Sequence, residues 1–469
     1  MTTNDSCINL QAFLMNKSLL FLLLLTPLTV AFAAPPESEP KVKENPQIAA
    51  VLSDVSAARI EATIRKLVSF GTRHTLSETE SEMRGIGAAR RWIKAELERY
   101  NTENGNRLEV AFDEFTQPPG KRNPQPVQVV NVVATLPGAQ PESRDRIYVV
   151  TGHYDSRVTD VMNVTADAPG ANDDASGVAA VMEMARVMSK KKWDATLVFI
   201  AVAGEEQGLL GSTHWAMMAK ERNLNIAGMI TNDIIGSSHS DDGRVVKDHV
   251  RLFAEGVPPV NETSEALRTL VRTGGENDSS ARALARFIKP EAEKYLSGMT
   301  VDIIYRRDRY LRGGDHSPFL DAGYPAVRMT EPNEDFRHQH QDLRKENGVQ
   351  IGDLPEFCDF DYIAQVARVN VAALGALALG PAVPAKVEVE TKELTNSTTL
   401  HWEANAEPDL AGYEIVWRET TAPLWQHVRA VGNVTRFTIP ILKDNFLFGV
   451  RAIDRDGNAS PATYPMPLR

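Results

Sequence analysis

Cysteine is nearly absent from this 469-residue chain, with Cys7 and Cys358 the only two. Cys7 lies ahead of a candidate cleavage point, so the mature chain keeps Cys358 alone and an internal disulfide is excluded. Stability must come from packing, with bound metal as a second source. An excess of positive charge is missing too. The 51 Lys and Arg face 62 Asp and Glu, and the net charge of -11 argues against nucleic acid and anionic membranes as main partners. Near the amino terminus the apolar run Leu19 to Val30 is too short to span a bilayer comfortably. What remains is a globular composition, long enough for two or three domains.

Lys17 precedes that apolar run and Ala31-Phe32-Ala33 comes after it, the pattern of a secretory signal over residues 1–33 with Met15 as an alternative start. The expectation is a secreted or periplasmic protein with no membrane attachment after cleavage. Residues 34–46, rich in Pro, Glu and Lys, read as a linker. From 47 to 380, apolar strands alternate with amphipathic helices, which predicts a doubly wound α/β domain with a mixed sheet flanked by helices. Helical spacing covers Val55 to Phe70, Glu82 to Tyr100, Ser176 to Ser189, Glu262 to Thr273, Ser279 to Leu296 and Phe360 to Leu379. After the Pro-rich stretch Gly380 to Pro384 the pattern changes to short strands with turn signals, predicting a small all-β sandwich over 384–469 that folds independently. Trp402, Tyr413, Trp417 and the closing segment Ala452 to Ser460 resemble a fibronectin type III domain. No ligand constellation appears there, and its target is open.

Three apolar runs each end in an acidic cluster. Ile147 to Thr151 delivers Gly152-His153-Tyr154-Asp155-Ser156, Thr196 to Val202 delivers Gly204-Glu205-Glu206, and Ile226 to Thr231 ends at Asn232-Asp233. Ligands of open α/β sheets bind outside the carboxyl ends of strands. Between the first two runs lies Pro169 to Gly177, a turn whose Ser176 is a candidate helix cap. One imidazole and several carboxylates gathered there suit a cation such as Zn²⁺.

The residue types then divide the labour. His153 can bind metal while Asp155, two residues on, accepts from its other ring nitrogen and fixes the tautomer. Of the adjacent Asp173 and Asp174, one can bridge metals while the other caps the following helix. Adjacent Glu205 and Glu206 repel, and burial raises at least one carboxyl pKa. A metal on Glu206 relieves that cost and leaves Glu205 as general base. Glu-Glu alone is ordinarily an exposed turn, but Phe199 to Gly204 places this pair at a buried strand end. His338-Gln339-His340-Gln341-Asp342 supplies a second imidazole, and either histidine can be the ligand.

In this order the motifs resemble the di-zinc aminopeptidase family that includes bacterial leucyl aminopeptidase and aminopeptidase Y, with glutamate carboxypeptidase as a relative. The resemblance implies a zinc exopeptidase fold and two Zn²⁺ ions bridged by Asp173. His153 and Asp233 would complete one site, Glu206 and His338 the other. Glu205 would be the base, Asp155 the partner of His153, and Tyr310 a hydrogen-bond donor to the transition state, with His316 structural. The implied activity is removal of amino-terminal residues from peptides. A carboxypeptidase, dipeptidase or glutaminyl cyclase is the enzyme alternative, kept open by Arg306, Arg307, Arg309 and Arg312. A metal-dead binding protein is the alternative outside catalysis.

Overall fold

The computed structural model describes residues 44–257 and 264–468. The expected signal segment and most of the expected linker lie outside these residues. The end of that linker instead starts a helix: the Asn45 side chain accepts from the Gln47 amide, and Pro46 opens α1 (Pro46–Ser53), where its missing N–H costs nothing. Next come α2 (Ala57–Val68), α3 (Gly85–Glu103), β1 (Glu109–Gln117), β2 (Val127–Leu136), β3 (Arg146–His153), α4 (Ala175–Met188), β4 (Thr196–Val202), α5 (Leu210–Glu221) and β5 (Asn225–Asn232). The second half holds β6 (His249–Ala254), α6 (Glu265–Arg272), α7 (Ser280–Glu293), β7 (Thr300–Ile304), α8 (His316–Ala322), β8 (Ala326–Thr330), the hairpin of β9 (Arg344–Glu346) and β10 (Val349–Ile351), and α9 (Phe360–Leu379).

Eight strands form one mixed sheet in the order β1-β2-β4-β3-β5-β8-β6-β7. Its centre is parallel: β3 lies between β4 and β5, and β5 pairs with β8. Alternate residues of the central strands face opposite layers, as strand periodicity requires. Val149, Val198, Ile200 and Val202 pack with Trp215 of α5 and Phe319 of α8. Val150, Leu197, Phe199 and Ala201 face the other way, into a core shared with α2, α4, α7 and α9. Each such side chain contributes about 1.5–3 kcal/mol by leaving water. Helix α9 is apolar and long enough to pass for a membrane span, yet 83% of its most apolar window is buried in this core.

Seven further strands complete the chain: β11 (Glu388–Glu390), β12 (Thr398–His401), β13 (Leu410–Glu419), β14 (His427–Gly432), β15 (Arg436–Ile439), β16 (Phe446–Asp454) and β17 (Met466–Leu468). They form a four-stranded and a three-stranded sheet that share one core around Leu400, Trp402, Tyr413, Ile415 and Val450. The sandwich is as expected, and buried ion pairs join it to the large sheet and its helices. Arg146 of β3 is buried against Glu407 at 3.1 Å and donates to the Gly380 carbonyl at 2.6 Å. Asp278 is buried against Arg418 of β13 at 2.7 Å. The Pro-rich stretch is a seam.

Candidate metal centre

Two glycines bring the strand ends and α4 together. A Cβ on Gly152 would stand 2.5 Å from the Gly177 backbone, and one on Gly177 would stand 2.2 Å from the Asn232 carbonyl. Bare backbone at both positions lets the start of α4 enter between the ends of β3 and β5. There Asp174, not Ser176, caps the helix: its carboxylate accepts from the Gly177 and His153 amides at 3.0 and 2.9 Å. The Ser176 hydroxyl turns back to the Asn172 carbonyl at 2.7 Å.

Asp173 lies at the middle of the cluster. Its Oδ1 is 3.1 Å from His153 Nε2, and its Oδ2 is 2.8 Å from His340 Nε2. Asp233 Oδ1 stands 3.9 Å from His153 Nε2 on one side, and Glu206 Oε1 stands 2.8 Å from His340 Nε2 on the other. Two triads result, His153–Asp173–Asp233 and Asp173–Glu206–His340, with the ligand atoms of each within 4.8 Å of one another. Four of the five side chains are buried and His340 nearly so. Against the penalty of burial, the two histidines hold the Asp173 carboxyl well below its usual range. The carboxylates in turn hold His153 well above the usual imidazole range and His340 at about 10, again against burial.

The residues fit a divalent cation by two observations. Glu206 Oε1 is buried with no aligned hydrogen-bond donor, although His340 Nε2 lies close. His153 Nδ1 lies 3.1 Å from the Asp155 carbonyl, which can only accept, so Nδ1 keeps its proton and Nε2, toward Asp173, is the nitrogen that a cation would take in place of a proton. Mixed imidazole and carboxylate donors are the set zinc favours.

His340, and not His338, enters the cluster. The resemblance implied His338, but residues 336–340 form a turn that aims the two histidines apart. The His338 amide bonds back to the Asp335 carbonyl, and His340 sits at φ +53°, a left-handed kink. The His338 ring instead stacks on Phe357, 3.7 Å between centroids. Tyr310 is the second correction. Its ring is 81% exposed beneath Arg306 and does not line the cavity at the cluster.

Asp155 faces His153 as expected, its carboxylate 3.6 Å from Nδ1, and against burial that imidazole helps hold it below its usual range. The same carboxylate also accepts from the Glu205 and Glu206 amides at 3.2 and 3.1 Å and from Thr75 Oγ1 at 3.0 Å. It therefore fixes the backbone that carries both glutamates. Glu205 lines the cavity of about 260 Å³, and burial and the neighbouring Glu206 push its carboxyl well above its usual range.

Sequence reasoning missed the cations that brace the ligands. Arg157 Nε donates to Glu206 Oε2 at 2.7 Å, and its Nη2 lies 2.5 Å from His340 Nδ1. Arg328, fully buried, pairs with Asp233 and Asp308 at 3.0 Å each. An arginine inside the apolar strand Ala326–Thr330 was the available signal.

The signature of Peptidase family M28 matches residues 131–347, which contain every residue of both triads. A probable zinc metalloprotease of Leptosphaeria maculans is 52% identical over 90% of this chain and 97% of its own length. The chain belongs to peptidase family M28. A second relative, a probable zinc metalloprotease of Pyrenophora tritici-repentis, is 50% identical over 93% of this chain and 91% of its own. Among solved structures, the aminopeptidase from Aneurinibacillus sp. strain AM-1 shares the fold, with TM-score 0.50 and 17% identity over 71% of this chain and 96% of that one.

Proposed function

We propose that the protein is an exported zinc metallo-exopeptidase that binds two zinc ions and removes amino-terminal residues from peptides. The observation that carries the reading is Asp173, whose two oxygens face His153 and His340 on opposite sides. One site would be held by His153, Asp173 and Asp233, the other by Asp173, Glu206 and His340. Zinc bound there would polarise the scissile carbonyl and acidify water. Glu205 takes the proton of the attacking water on its carboxylate and delivers it to the leaving nitrogen. Asp155 keeps Glu205 in reach by holding its amide. Of the carboxylates that wall the small cavity, Asp173, Glu206 and Asp233 would be engaged by zinc, and Glu205 is the one left to meet a free ammonium group at the substrate end. Export rests on the Leu19 to Val30 run and Ala31-Phe32-Ala33.

A carboxypeptidase or dipeptidase is the second reading, because Arg309 and Arg312 line the same cavity. Arg309 is already paired with Glu334 at 2.9 Å and Asp308 at 3.2 Å. Arg312 is 3.7 Å from Glu334 and is the freer of the two to meet a substrate carboxylate. Zinc content and rates on free, amino-acetylated and carboxyl-amidated peptides decide. Cleavage of free and amidated peptides, with none of acetylated ones, is expected. Cleavage of acetylated peptides that requires a free carboxylate would overturn the aminopeptidase reading.

A further inference from the structure

We infer that the C-terminal sandwich holds the substrate-pocket wall in place through Tyr305, a positioning residue. Tyr305 is the first residue after β7, the edge strand of the large sheet. The segment beyond it carries Arg309, Arg312 and Gly313 to the cavity at the metal centre. Its tip is bare, with Tyr310 81% exposed and Leu311 fully so. Its middle is held from the sheet side, where Arg328 donates to Asp308 and to the Gly313 carbonyl and Arg309 pairs with Glu334, and its start is held at its base.

That base is tied to the other domain. Tyr305 Oη donates to the Pro423 carbonyl at 2.9 Å, in the connection between β13 and β14. Arg286 of α7 donates to the same carbonyl at 2.8 Å and to Tyr305 Oη at 3.2 Å. Arg286 is fixed by Asp278 at 2.6 Å, and Asp278 takes Arg418 of β13 on its other oxygen at 2.7 Å. All three charged side chains are at most 2% exposed. Trp425 covers them, its ring 5.6 Å from the Arg286 guanidinium and 5.3 Å from that of Arg418. Arg282 closes the knot from the peptidase side, 4.7 Å over the Tyr305 ring.

Buried ion pairs are weak sources of net stability but hold a fixed register, since any slip leaves a charge unpaired. A seam needed only for adhesion would be met by apolar contact. Here the charged knot sits at the root of the segment that walls the pocket with arginines. Tyr305 is where that wall takes a hydrogen bond to the sandwich, so a shift of the sandwich reaches the wall there.

Tyr305→Phe removes only the hydroxyl, and Trp425→Ala loosens the knot from the sandwich side. Both are measured in the full chain. Amide exchange over residues 306–314 should quicken about three- to tenfold, the worth of one ordinary hydrogen bond. Exchange over residues 229–235 and zinc content should stay as in the wild type. On peptide substrates KM should rise by a similar factor with kcat unchanged. This kinetic arm rests on the peptidase reading, whereas the exchange arm stands without it. Wild-type exchange over 306–314 in folded Tyr305→Phe overturns the inference, whatever the kinetics. Should Trp425→Ala fail to fold, Tyr305→Phe decides alone. Quickened exchange with an unchanged KM also overturns it, because the wall would then not matter to binding.

Discussion

Replacing His340 and His338 in turn separates two residues that the sequence offers as equals. His340 Nε2 is 2.8 Å from both Asp173 and Glu206, so His340→Ala leaves one triad with two carboxylates. Loss of a group that merely braces a metal ligand costs 10–100-fold in affinity, and loss of the ligand itself should exceed that. At least a 100-fold weakening is expected at one of two sites, about 2.7 kcal/mol at 1.36 kcal/mol per decade. His338→Ala loses its stack on Phe357, worth about 0.5–1.5 kcal/mol of stability, and the approach of its Nδ1 to Asp335 at 3.6 Å. Both variants would be dialysed against graded zinc buffers, counted for bound metal and melted in urea. His340→Ala should retain one tight zinc at near wild-type stability in saturating metal. His338→Ala should retain two. If His338→Ala lost a zinc while His340→Ala kept both, the placement of the second triad would be wrong.

Glu205→Gln keeps size and hydrogen bonding but cannot take a proton. It should hold full zinc while kcat falls by about 10²-fold or more. Arg328→Met leaves Asp233 and Asp308 buried without their shared cation and should cost about 3–5 kcal/mol in urea unfolding. His316 is buried and its imidazole is pushed down to about 4, chiefly by that burial. The unfolded chain therefore binds the extra proton below its ordinary pKa of about 6.5. Stability from this group is complete above pH 6.5 and falls by about 3 kcal/mol as pH drops to 4, a slope that His316→Gln should remove. A chain ended after Gly380 strips Arg418 from Asp278 and Glu407 from Arg146. It should be recovered unfolded or insoluble, as expression and circular dichroism would show.

Much of the site was readable because its chemistry sits where apolar runs stop. Ile147 to Thr151 and Thr196 to Val202 could only be buried strands, and the residues just past a buried parallel strand lie at the ligand-binding edge. Helix α9 was equally plain from its long apolar run, Phe360 to Leu379, and the structure adds Asp359 as the cap of its start. The choice between His338 and His340 was not readable. It depends on a turn with a left-handed residue at His340, and no periodicity reports that. Arg157 and Arg328 escaped for another reason: their partners are 49 and 95 residues away, so only the assembled sheet reveals them. The ion pairs across the seam at Gly380 were not readable, because Pro-rich composition signals a chain without regular structure, whereas the contacts of Arg146 and Arg418 lie elsewhere in sequence.

The most direct test of the account is anomalous diffraction at the zinc edge from crystals of the full chain. Two peaks flanking Asp173 are predicted, one contacted by His153 and Asp233 and the other by Glu206 and His340. A single peak, or a second zinc bound by His338, would contradict it.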